Sequence, residues 1–192
     1  MRSEDFILAS SSAIRVSILE KYSIPFKHIP PTCNEDKLKT DNPNLSPSDL
    51  STFLAKEKAL SISKDYPDSL ILGCDQICLL NDRIFEKPGT KENAVNTLKE
   101  LRSNEHFLIG SYVFVKNGDV ISTKLIKTSM IMRNLTDQEI NAYVDEDKPF
   151  NSCGSYMFEK NGYKLFKETS GSLEAINGLP FNVLQETINE YL

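Results

Sequence analysis

Apolar and polar positions change period repeatedly along this chain, and the alternation predicts an α/β protein. Residues 6–9 (FILA) are a short apolar run of the kind buried in a sheet. Ser10-Ser11-Ser12 then opens a helix to about Tyr22, with Ile14, Ile18 and Leu19 on its apolar side. Residues 23–45, punctuated by Pro25, Pro30, Pro31 and Pro43, read as irregular apart from a short strand near 26–29. Ser46-Pro47-Ser48-Asp49 supplies a hydroxyl cap, a proline at the first helical position and an acid at the third, so a second helix runs from here to about Lys64.

Residues 69–80 (SLILGCDQICLL) form the most conspicuous strand. One side carries Leu70, Leu72, Cys74, Cys78 and Leu80, the other Ile71, Ile77 and Leu79, so both faces are apolar and the strand is central and covered. Asn81-Asp82 turns into a strand over 83–85, and a third helix at about 91–102 presents Ala94, Leu98 and Leu101. Strands near 106–115 and 119–133 flank Asn117-Gly118, a strong hairpin signal. Thr136 and Glu139 make a capping box for a fourth helix to about Asp145, with Ile140, Tyr143 and Val144 inward. Short strands near 155–158 and 163–167 follow, and a last helix after Gly178-Leu179-Pro180 buries Leu184 and Ile188. With no repeat and no Gly/Pro-rich linker, residues 1–192 read as one domain, or as two closely joined lobes sharing a core.

Composition narrows the class. A hydrophobic fraction of 40% and a charged fraction of 26% are those of a globular chain, and no run of eighteen apolar residues could span a membrane. Met1-Arg2-Ser3-Glu4-Asp5 is acidic and unlike a signal peptide, which predicts a cytoplasmic protein. Cys33, Cys74, Cys78 and Cys153 form no Cys-x-x-Cys pair, and His28 and His106 are distant in sequence, so reduced structural thiols are expected rather than zinc. A net charge of −5 argues against a nucleic-acid partner but not against a nucleotide, which needs only a few local cations.

Asp75 is the sharpest chemical signal. A carboxylate in a strand apolar on both faces costs several kcal/mol unless a metal, a cation or backbone amides satisfy it. Glu86-Lys87-Pro88, after the next hairpin, is suited to a metal and a phosphate oxygen, but taken alone it reads first as a solvated charged turn. Ser10-Ser11-Ser12 with Arg15 places free amides and a guanidinium at a strand-to-helix junction; ordinary serine capping explains the serines as well. Glu35 and Lys58 are unremarkable singly. Glu159 reads either as an exposed edge charge or as a group that contacts a base.

In order and spacing these pieces resemble the Maf family of nucleotide pyrophosphatases over nearly the whole chain. The resemblance runs through Leu8-Ala9-Ser10-Ser11-Ser12 with Arg15, Glu35, Leu54-Ala55 with Lys58-Ala59, and Gly73-Cys74-Asp75-Gln76. It continues through Glu86-Lys87-Pro88, Leu135-Thr136 with Glu139-Ile140, Tyr143, Cys153-Gly154-Ser155-Tyr156 and Gly178-Leu179-Pro180. It implies a mixed central sheet flanked by helices, two lobes around a cleft, and kinship with inosine triphosphate pyrophosphatases. It implies cleavage between the α- and β-phosphates of a nucleoside triphosphate, a divalent cofactor (magnesium or manganese) and often a homodimer. Asp75 is then the proton acceptor, Glu35 and Asp75 the metal ligands, and Ser10, Arg15, Lys58, Gln76, Lys87 and Glu159 the substrate-binding residues.

Gln76 and Glu159 resemble the branch acting on 7-methyl-GTP, where members acting on dTTP and UTP carry threonine and glutamine. A carboxylate accepts from guanine N1–H and the 2-amino group and suits a positively charged methylated ring, whereas an amide suits a pyrimidine. The rival readings are a house-cleaning pyrophosphatase for CTP, UTP, dTTP or inosine triphosphate, and a nucleotide-binding regulator of cell division with little turnover. Two wordings depart from the family: Ala13-Ile14-Arg15 lacks a second basic residue and the helix-opening proline, and Asn34 stands where an acid is usual.

Overall fold

The long apolar run becomes β3 (Leu70–Leu80), the strand about which the sheet is ordered in the computed structural model, which describes residues 5–192. The acidic start of the chain, residues 1–4, lies outside the described residues. The sheet order is β2-β1-β3-β5-β6-β7, where β1 is Phe6–Ala9, β2 Lys27–Ile29, β5 Glu105–Lys116, β6 Asp119–Met132 and β7 Phe166–Thr169; β4 (Arg83–Phe85) pairs with β3 as a seventh strand. β1 runs parallel to both β2 and β3, whereas β3–β4 and β6–β7 are antiparallel. The sheet is therefore mixed, as the resemblance implied. Asn117 and Gly118 both take positive φ (54° and 82°), the backbone that a two-residue hairpin between β5 and β6 requires.

Contacts divide the chain into two compact units that are discontinuous in sequence. The first holds residues up to Asp75 together with Gly110–Ile126 and Gly178–Leu192. In it, α3 (Pro47–Ser63) covers one face of the sheet through Ala55, Ala59 and Ile62 packed on Ile7, Ala9, Ile71, Val113 and Val115. The other face is covered by α1 (Ala13–Glu20) and α7 (Phe181–Tyr191), whose Ile18, Leu19, Leu184 and Ile188 pack on Phe6, Leu8, Leu70, Leu72 and Phe114. Each such side chain contributes about 1.5–3 kcal/mol by leaving water. The second unit holds Gln76–Ile109 and Lys127–Asn177, with α4 (Lys91–Leu101) and α5 (Asp137–Asp147) burying Ala94, Leu98, Ile140 and Val144 against Leu108, Met130 and Met132.

The capping signals are realised. Ser46 Oγ accepts from Asp49 N at 3.2 Å to start α3, and Thr136 and Glu139 satisfy each other's backbone N–H groups at the start of α5. Three expectations fail. Residues 35–41, read as irregular, form a helix, α2 (Glu35–Asp41), capped by Asn34 and supported by the Lys37–Asp41 pair. It buries no side chain, so it left no apolar stripe to read. Residues 155–158 are not a strand, and residues 162–165 are a tight turn, with pairing delayed to β7. There the alternating aromatics mimic a strand, but the backbone folds back: Gly162 N–H donates to Met157 O at 3.0 Å, and Met157 N–H to Tyr143 Oη at 2.9 Å. A four-residue helix, α6 (Leu173–Ile176), was also not anticipated.

Candidate active site

β1 and β3 lie side by side with Ala9 opposite Gly73, so the parallel register delivers Ser10 to the level of Cys74 at the carboxyl end of β1. Carboxyl ends of parallel strands are where open α/β sheets bind ligands. On β3, Gly73 and Asp75 share the face covered by α3. A Cβ on Gly73 would sit 2.0 Å from Ala55 O and 2.9 Å from Ala59 N, so only glycine lets the helix lie this close. That approach brings Lys58, one turn from Ala55 on α3, onto Asp75.

Lys58 Nζ stands 2.8 Å from Asp75 Oδ1 and 2.9 Å from Glu35 Oε2. Lys58 and Asp75 are each only 7% exposed, and Glu35 at the first position of α2 is partly buried. Burial by itself would depress the Lys58 ammonium, but the carboxylates of Asp75 and Glu35 outweigh it and hold its pKa above the ordinary lysine value. The lysine is therefore a fixed cation between two acids. Asp75 Oδ2 makes no hydrogen bond among the described residues and is left for water or a ligand.

Arg15, on the first turn of α1, is held by two carbonyls: Nε donates to Gly178 O at 2.9 Å and Nη1 to Cys74 O at 3.1 Å. Nη1 also lies 3.5 Å from Ser10 Oγ, which accepts Ser12 N–H at 3.1 Å. Ser10 Oγ thus accepts twice and keeps its own proton to give. The first unit therefore gathers Ser10, Arg15, Glu35, Lys58 and Asp75. The second holds Gln76, Lys87 and Glu159, on separate elements. Gln76 Nε2 donates to Ala175 O (3.0 Å) and Ile176 O (3.3 Å), which fastens the end of α6. Lys87 is exposed after β4 and makes no ion pair among the described residues. Glu159 is exposed on a turn rather than a strand and lines a cavity of about 550 Å³.

Asp75 and Glu35 each bring an oxygen within 3 Å of one nitrogen, so a single hard cation could take an oxygen from each. Among the described residues no group of three or more His, Cys, Asp or Glu forms a metal cage. Two carboxylates with water and phosphate completing the shell is the arrangement magnesium tolerates, so these residues fit such an ion.

Several contributors had no role assigned to them from the sequence. Gly178-Leu179-Pro180 marked only the approach to the last helix and a family motif, yet its first carbonyl anchors Arg15. Gly73 was legible in principle, since glycine inside an apolar strand signals close backbone approach. Tyr112, fully buried on β5, has a hydroxyl without a partner; burial raises its pKa, while the Arg15 charge opposes that. The four cysteines are free thiols, as expected, and burial pushes Cys74 up to about 11.

An α/β protein with a buried lysine-bridged carboxylate, a carbonyl-clamped arginine and a serine at the carboxyl ends of parallel strands has the makings of an anion-handling hydrolytic site. The chain belongs to the Maf-like protein family, whose match covers residues 5–191. A nucleoside triphosphate pyrophosphatase of Legionella pneumophila is 36% identical over 180 residues, covering 94% of this chain and 90% of that protein. A 7-methyl-GTP pyrophosphatase of Aliivibrio fischeri is 38% identical over 176 residues, covering 91% and 89%. Among solved structures, the Staphylococcus aureus Ham1 protein matches 97% of this chain and 99% of its own at 15% identity, with a TM-score of 0.47.

Proposed function

We propose that this protein is a nucleoside triphosphate pyrophosphatase that hydrolyses the bond between the α- and β-phosphates, releasing a nucleoside monophosphate and pyrophosphate. The observation that carries the reading is the Glu35–Lys58–Asp75 cluster at the middle of β3, with Lys58 and Asp75 buried and Arg15 clamped beside Cys74. The relatives named as pyrophosphatases support it.

A triphosphate repels nucleophiles by its own charge. Lys58 and Arg15 counter that charge and stabilise what develops on the phosphoryl oxygens. The Ser10 hydroxyl donates its remaining proton to a phosphate oxygen. Asp75 Oδ2 orients the attacking water and accepts its proton, while Lys58 holds the other oxygen and fixes the carboxylate plane. A divalent cation of the magnesium or manganese kind, held by Glu35 and Asp75, would supply charge neutralisation when bound. The family resemblance assigns Lys87 a further phosphate contact.

The favoured base, in this reading, is 7-methylguanine, on the strength of Glu159 and of the 38%-identical relative that acts on 7-methyl-GTP. The four free thiols suit a reducing cytoplasm, where the reaction is placed. A homodimer, which the family resemblance implies, completes the proposal. The test is pyrophosphate release with magnesium or manganese across 7-methyl-GTP, GTP, CTP, UTP, dTTP and ITP, alongside Asp75→Asn. Turnover of 7-methyl-GTP, lost in the variant, supports activity and branch together. Turnover of pyrimidine nucleotides alone keeps the activity and sinks the branch. Nucleotide binding without turnover would replace both with a regulatory role.

A further inference from the structure

Two of the four cysteines come together inside the second unit, and neither is joined in a disulfide. Cys78, on β3, is fully buried, and Cys153, half-buried, packs against the same apolar cluster from the tight turn Cys153–Ser155. Gly154 is what lets the turn reach the thiol. Its φ is +70°, and a Cβ there would lie 2.8 Å from Cys78 Sγ, 3.4 Å from Cys78 Cβ and 2.8 Å from Cε1 of Tyr156. Any other residue would collide with the sulfur or abandon the left-handed backbone that the turn uses. Cys153 is bonded to this glycine, so its Cα is about 3.8 Å from the Cα against which the Cys78 sulfur rests.

The two thiols are chemically unequal. Burial holds the Cys78 thiol well above its ordinary pKa, and the one ionisable neighbour that adds to this effect is Cys153. Thiols react as thiolates, so Cys78 is inert towards reagents in solution, which in any case do not reach it. Cys153 has solvent on one side. An accessible sulfur beside a buried one is the arrangement in which the first takes up an oxidant and the second resolves it.

We propose that Cys78 and Cys153 form a reversible thiol-modification site whose co-reactant is a low-molecular-weight disulfide of the glutathione class. The Cys153 thiolate attacks one sulfur of the reagent, breaks its S–S bond and releases a glutathione thiolate, which takes the proton that Cys153 lost on ionising. The Cys78 sulfur then attacks Cys153 Sγ and breaks the mixed disulfide. Its proton goes to the second departing glutathione thiolate, and an intramolecular disulfide closes. The pair loses two electrons, and one glutathione disulfide is reduced to two thiols. The Cys78 thiolate is scarce, but a neighbouring sulfur acts at a high effective concentration, which offsets the scarcity. Excess dithiol reverses both steps. The bond would tie the turn next to Tyr156 to β3, and the site stands whether or not the protein hydrolyses nucleotides.

The experiment treats the reduced full chain with glutathione disulfide, quenches it in acid, alkylates it in denaturant and maps the unreduced peptides by mass spectrometry. In wild type, Cys78 and Cys153 both escape alkylation and appear in one linked peptide pair, which dithiothreitol releases. Cys78→Ser keeps a glutathione adduct on Cys153, because nothing resolves it. Cys78→Ala, which buries no hydroxyl, is run beside it and gives the same adduct. Cys153→Ser leaves Cys78 fully open to alkylation, with no adduct. A lasting glutathione adduct on Cys153 in wild type, a Cys153 linkage to Cys33 or to a second molecule, or full alkylation of Cys78 after treatment overturns the proposal.

Discussion

Lys58 meets Asp75 at 2.8 Å because Gly73, two residues earlier on the same face of β3, has no side chain to hold α3 away. The packing of a helix on a strand and the charge geometry of the candidate site are thus one arrangement. A Cβ at Gly73 would meet backbone, not the flexible end of a side chain, so neither element can give locally. Gly73→Ala should destabilise the fold by about 3 kcal/mol or more. It should also cut pyrophosphate release, because any shift of α3 moves Lys58. Urea unfolding and a pyrophosphate assay on the same preparation check both; an active variant of wild-type stability would break the link.

Asp75→Asn removes the proton acceptor proposed above but leaves an oxygen for Lys58, which keeps Glu35 as its counter-charge. The expected result is a rate lower by about 10²–10⁴ with nearly unchanged thermal stability. A rate within a few-fold of wild type would show that Asp75 is structural.

Lys58→Met should have the opposite balance. It leaves the Asp75 and Glu35 carboxylates without their shared cation in a buried setting, at a cost of about 3–5 kcal/mol. Because much of that cost is uncompensated charge, the double variant Lys58→Met/Asp75→Asn should regain part of it. A double-mutant cycle by chemical denaturation measures the recovery; strict additivity would mean that the two side chains do not interact.

His106 sets an acid limit to stability in the second unit. It is fully buried, with Nε2 2.9 Å from Tyr156 Oη, Nδ1 without a partner, and a pKa lowered by burial from 6.5 to about 4. Between these values the unfolded chain binds a proton that the folded chain does not, so stability is present above about pH 6.5 and drains away as pH falls towards 4. The loss amounts to about 3 kcal/mol at the bottom of the window. His106→Gln should be less stable at pH 7 but flatter between pH 6.5 and 4. Parallel unfolding curves at pH 7 and 4.5 give the difference, and equal slopes for both proteins would contradict it.

Much of this molecule was readable from its order of residues alone. The apolar runs marked β1, β3, β5 and β6, the Asn117-Gly118 turn set the hairpin, and hydroxyl caps at Ser46 and Thr136 placed α3 and α5, because these signals are local. Asp75 stood out for the same reason, as a charge in a run apolar on both faces. The stretch from 153 to 176 misled, since its aromatics alternate as a strand's do while its backbone bonds are closed by Tyr143, Asp147 and Arg133 from elsewhere in the chain. Helix α2 was silent because it buries nothing. Which cation answers Asp75, which carbonyls hold Arg15, and that the Gln76 amide is spent on α6 were decided only by tertiary structure. Residues 17 to 163 positions apart must meet for those contacts. No local period or propensity encodes such meetings; that of Lys58 with Asp75 follows from how close Gly73 lets α3 approach the sheet.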